Sequence, residues 1–99
     1  MAELQIVYWR DIPAQVIVRQ GRKAARRELP KRFIEAVDMC AMRVGAKDSD
    51  AYLAEWRRAS TEREAADLES EAERAAAEID NSYDMQRLRS LIANAGREP

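Results

Sequence analysis

The chain has 99 residues, 46% of them hydrophobic and 35% charged, with a formal net charge of −1. This is the balance of one folded domain: too apolar for a disordered chain and too short to bury a second core. It has no histidine and a single cysteine, which excludes Ser-His-Asp and Cys-His nucleophilic systems, imidazole zinc sites and a disulfide framework within the chain.

No apolar run approaches the roughly 18 residues of a membrane span. The start, MAELQIVYW, has an acidic third residue and no basic region, so it does not read as a signal peptide, and the cytoplasm is the expected compartment. No metal and no cofactor is expected. The charge is uneven. Residues 1–47 carry ten Lys+Arg against five Asp+Glu, whereas residues 48–99 carry seven against thirteen. A basic and an acidic face follow, which either attract each other within the fold or meet different partners.

Glu3–Trp9 (ELQIVYW) is rich in β-branched and aromatic residues and reads as a strand, with Leu4, Ile6 and Tyr8 on one face and Val7 and Trp9 on the other. Arg10-Asp11-Ile12-Pro13 is the expected turn, and Ala14–Gln20 the second strand of an antiparallel hairpin. Two strands alone are marginal in water, so the hairpin is completed either on the helices or across a second copy, and a homodimer stays open.

Gly21 ends the second strand and begins an Arg-rich connection. Arg19, Arg22, Lys23, Arg26, Arg27, Lys31 and Arg32 are seven basic residues with Glu28 as the only acid among them. They could hold phosphate, carboxylate or nucleic acid, or form a solvated connection or helix face that balances the acidic half. No aromatic residues are interleaved to stack bases, which speaks against nucleic acid.

Pro30 suits the first position of a helix. Phe33, Val37, Cys40, Ala41 and Val44 recur at helical spacing, Ile34 widens the stripe, and Gly45 closes it. Cys40 lies in this stripe, as a small core residue rather than a nucleophile. Asp48-Ser49-Asp50 reads as the start of a second helix carrying Tyr52, Leu53 and Trp56, with Tyr52 and Trp56 as i, i+4 neighbours. Trp9, Tyr52 and Trp56 are the aromatic candidates for a partner contact. Thr61-x-x-Glu64 reads as a capping box opening a third helix, whose seam is Ala65, Leu68, Ala72, Ala75 and Ile79. A break near Asn81 precedes a last helix through Tyr83, Leu88, Leu91, Ile92 and Ala95, closed by Gly96. The fold class is therefore α+β: an N-terminal hairpin packed on amphipathic helices, then a helical hairpin or bent helix. Residues 1–58 form a ββαα unit, and 59–99 an acidic helical extension that packs on it or protrudes.

The segments IVYWRDIPAQVIVR, RRELPKRFIEAVDMCAMR and DSDAYLAEWRR resemble the virulence-factor domain family over residues 3–58. That is a short bacterial domain, found alone or within the longer conserved virulence factor C proteins. The resemblance supplies no catalytic residues. It implies an accessory or interaction protein with a protein partner, or alternatively an accessory subunit of folate- and corrinoid-dependent methyl transfer. Two further readings come from the residues themselves: a binder of nucleic acid or an anionic ligand through segment 19–32, and a small enzyme using Glu28, Glu35 or Asp38 as its acid–base group. The enzyme would need a concave pocket beside the basic segment.

Overall fold

A computed structural model describes residues 1–47 and 49–98. β1 (Ala2–Trp9) and β2 (Ile12–Gln20) form the expected antiparallel hairpin, with Trp9 paired to Ile12 across a tight Arg10-Asp11 turn. The turn is shorter than the sequence suggests because Ile12 and Pro13 belong to β2. A bulge opposite Val7 and Tyr8 absorbs Ala14, and it is at this irregularity that the strand accepts proline. Arg10 adopts a left-handed φ of 55°, which costs free energy for a residue with a Cβ. Backbone bonds hold it there: its N–H donates to Glu55 at 3.1 Å, and that of Asp11 to Gly96 at 2.8 Å.

The Arg-rich segment is neither a loose connection nor a helix face. It is β3 (Lys23–Glu28), joined to β2 through Gly21 at a φ of 61°, which glycine adopts without penalty. α1 (Lys31–Arg43) follows with Pro30 at its N-cap, and ends before Gly45 at a φ of 73°.

Two further expectations are corrected. The second helix, α2, spans only Asp50–Ala54, and Trp56 opens a strand, β4 (Trp56–Arg63). Asp48, part of the expected helix start, lies outside the described residues. Thr61 and Glu64 do not cap a helix either, since Thr61 is paired to Leu4 in the sheet. Tertiary pairing overrides helix propensity here, because β4 supplies a complete ladder to the otherwise unpaired edge of β1. The hairpin is thus extended within the chain to four antiparallel strands in the order β3-β2-β1-β4.

α3 (Leu68–Ser82) starts instead at Asp67, whose carboxylate accepts from the Ser70 N–H. The chain then breaks at Tyr83, and Asp84 caps α4 (Met85–Ala93) by accepting from the Arg87 N–H. α3 lies against β2 and β3, while α4 lies against α1. Two clusters form the core. One gathers Trp9, Ile12, Phe33, Val37, Cys40, Leu88 and Leu91 at the end of the sheet beside α1. The other packs Leu4, Val16, Val18 and Ala25 against Ala72 and Ala75 of α3.

Candidate interaction surface

The second cluster covers one face of the sheet. Alternation sends the intervening residues to the other face, and there the registers align three rows across the strands. Ala24, Arg19, Glu3 and Glu62 form the first row, and Arg26, Ile17, Gln5 and Ser60 the second. The third runs Glu28, Gln15, Val7 and Arg58. Most of these side chains are exposed; Gln5, Val7 and Gln15 are half-buried, and Ile17 is fully buried. Where the rows approach α1, a cleft of about 370 Å³ opens, lined by Val7, Gln15, Glu28, Lys31, Ile34 and Trp56. A shallower hollow of about 330 Å³ continues from it along Arg57 and Arg58.

The sequence-derived basic residues do not converge on one site. Arg19 and Arg26 lie on the uncovered face, Arg22 is in the turn, and Lys23 and Arg27 share the face of the buried Ala25. Arg27 pairs with Glu69 at 2.6 Å, and Arg32 with Asp80 while also bonding the carbonyls of Asp80 and Tyr83. Two of the seven therefore meet the acidic half of the chain inside the fold. Lys31 alone reaches the cleft.

Of the aromatic candidates, Trp9 is fully buried, and its indole N–H donates to the Tyr52 carbonyl at 2.9 Å. Tyr52 bridges Trp9 and Trp56, with ring centroids 5.9 and 6.0 Å away. Trp56 is partly exposed and lines both hollows. The carboxylates considered for acid–base work are dispersed. Glu28 edges the cleft, Glu35 faces a separate groove between α1 and α4, and Asp38 pairs with Lys47 at 3.5 Å. Cys40 is fully buried, and burial pushes its thiol up, away from the reactive thiolate. Among the described residues, no group of three or more His, Cys, Asp or Glu side chains is placed to hold a metal ion.

One polar cluster escaped the sequence reading. Arg57 stacks 4.4 Å over Tyr8 and pairs with Asp11, and Arg87 stacks 3.8 Å over Tyr83 and pairs with Glu98. The Glu98 N–H closes the ring by donating to Asp11 at 2.7 Å. Burial raises both phenols. The Glu98 N–H, followed by the Arg57 guanidinium, holds Asp11 below the usual carboxylate range. Every charge here is matched, and the arrangement fastens the C-terminal segment to the β1–β2 turn. No local motif joins residues so far apart in sequence, so it was not legible.

These features define a small α+β module with one sheet face covered by a helix and the other largely open. A family model described as "Virulence factor" matches residues 7–92. The chain belongs to that family, and the match runs past Arg58 through β4, α3 and most of α4. No curated protein and no solved structure matches the chain. Among the described residues, no helix is long and apolar enough to cross a membrane.

Proposed function

We propose that this family member is a non-catalytic accessory module that takes a protein partner on its uncovered sheet face, centred on the cleft at Val7, Ile34 and Trp56. The composition of that surface carries the reading. Val7, Ile34 and Trp56 supply a partly exposed apolar centre, with Gln5 and Gln15 beside it. Around it stand charges of both signs: Arg19, Arg26 and Arg58 against Glu3, Glu28 and Glu62. An apolar centre within a polar rim is the anatomy of a protein interface. A polyanion would instead favour a surface of one sign, and acid–base catalysis would need its groups gathered in one pocket.

The test is affinity capture with the full chain at low salt, comparing wild type with Ile34→Glu and Val7→Lys, each checked for folding by circular dichroism. The expected result is a specific polypeptide, identified by mass spectrometry, that both variants lose. Capture unchanged in both variants overturns the docking face. Salt-sensitive retention of oligonucleotides, with no protein retained, replaces the reading by nucleic-acid binding.

A further inference from the structure

The two edges of the sheet are built differently. β3 forms one edge and carries Lys23, Arg26 and Arg27 against a single acid, Glu28. Pairing β3 with its own copy centred on Ala25 sets Lys23 against Arg27, and centring on Arg26 sets that residue against itself. Arg27 has Glu69 as its own partner, but with three cations to one acid the edge keeps an excess of one sign, which is a common protection against edge-to-edge association.

β4 forms the other edge. It runs eight residues in unbroken register with β1, without proline, glycine, lysine or a bulge. Its described residues Arg57–Arg63 make no backbone hydrogen bond to any element other than β1. Its only protection is charge, on Arg57, Arg58, Glu62 and Arg63, and that charge is of both signs rather than one.

The charges of β4 fall into two groups. Arg57 pairs with Asp11 at 2.9 Å, and Arg63 with Glu71 at 2.7 Å. Arg58 and Glu62 enter no ion pair among the described residues; Arg58 has only a 3.3 Å bond to the Gln5 amide oxygen. Glu62 is also directly opposite Glu3 of β1, a like-charge pair that destabilises a sheet. Both residues lie on the uncovered face.

We infer that β4 is a homodimer interface: two copies pair antiparallel through this strand about a two-fold axis perpendicular to the sheet at Ser60, giving one eight-stranded sheet. Such an axis keeps each face on its own side, so opposed residues must share a face. Centring on Ser60 sets Arg58 across from Glu62 of the second copy, and the symmetry makes this pair twice. Centring on Ala59 or Thr61 makes no opposite-charge pair between residues of the strand. The Ser60 register also brings Arg57 opposite Arg63 of the second copy, but each already has its own carboxylate. The open edge of β4 and its unmatched charges support this dimer independently of the proposed docking face.

A charge-swap series on the full chain tests it. Sedimentation equilibrium over a concentration series should show wild type going reversibly from the 11.3 kDa chain mass to twice that value. Arg58→Glu sets two carboxylates against each other across the interface, and Glu62→Arg sets two guanidinium groups there, so each should raise the dissociation constant about tenfold or more. An equimolar mixture of the two variants restores an opposite-charge arrangement, and should form a heterodimer with near wild-type affinity. Both sites are exposed, and circular dichroism checks that each variant folds. A wild-type chain that stays monomeric to about millimolar concentration overturns the inference. So does a dimer that Arg58→Glu leaves intact, or a mixture that fails to associate.

Discussion

The two hydrophobic clusters are held by different means. The cluster beside α1 is filled by volume: Trp9, Phe33, Ile12, Leu88 and Leu91 are all essentially inaccessible to solvent. The cluster under α3 presents alanines, Ala72 and Ala75, to Leu4, Val16 and Val18. Alanine permits close approach but removes little apolar area from water. Around that thin contact the chain sets charge. Arg27 meets Glu69, and Glu71, buried at 6% exposure, receives Arg63 and Arg74, both at 2.7 Å. An acidic helix can thus rest on a basic strand when its ion pairs stand at the margin of a small core. One cluster should respond to lost volume and the other to lost charge.

The largest expected effect is therefore Phe33→Ala. Phe33 is fully buried, with the Arg32 guanidinium 4.6 Å from its ring and Tyr83 edge-on at 6.1 Å. Truncation removes contacts to α1, Arg32 and the α3–α4 junction together, at a cost of about 3–5 kcal/mol. Urea titration at neutral pH should show that loss. A change under about 1 kcal/mol would mean that the aromatic cluster does not dominate stability.

A smaller effect separates the charged side from the apolar one. The Arg74 hydrogen bonds, with Arg63 adding its charge, hold Glu71 below its ordinary 4.5, although burial opposes them. Stabilisation from a lowered carboxylate is complete above the unfolded value and disappears as pH falls through the folded one. The chain has no histidine, so stability should be flat across about pH 5–8. It should decline in acid through lowered carboxylates such as Glu71, and separately in strong alkali, where the buried Cys40 and the half-buried Tyr8 and Tyr83 must ionise. Glu71→Gln should cost about 1–2 kcal/mol at pH 7 and flatten the acid decline. Equal acid sensitivity in variant and wild type would remove Glu71 from that role. Phe33→Ala, in contrast, should shift the whole curve without changing its slope.

How much of this was legible depended on whether a signal was local. The Glu3–Trp9 alternation and the stripe through Phe33, Val37 and Cys40 are periodic patterns of single elements, and both elements exist. β3 and β4 carry no such pattern. KAARRE and WRRASTER are rich in Arg, Ala and Glu, residues content in a helix, and they become strands because β2 and β1 each offer an unpaired edge. That pairing information lies in the partner strand, not in the segment. Of the uncovered face the alternation of β1 shows little more than that Val7 lies opposite the Leu4 and Ile6 side. The rest needed β4 to place Trp56 and Arg58 beside it. The seven basic residues looked like one site in sequence and are divided by the same pleat that makes β3 a strand.

The smallest expected effect concerns where α3 begins, and it tests whether the charged cluster depends on register. Asp67 Oδ2 accepts from the Ser70 N–H at 3.1 Å and from the Ser70 hydroxyl at 2.6 Å. The Ser70 hydroxyl, and then its N–H, holds the Asp67 carboxyl below 3.8. This cap defines the first turn, which carries Glu69 and Glu71, and so helps to aim those carboxylates at Arg27 and Arg63. Asp67→Ala should leave the aromatic cluster intact and speed hydrogen exchange at the first amides of α3 several-fold, while α1 amides keep their protection. Asp67→Asn retains an acceptor but not the charge, and should recover most of the protection if the hydrogen bond matters more than the helix dipole. If Asp67→Ala instead speeds exchange equally in α1 and α3, the two clusters open as one cooperative unit and their difference is only one of composition.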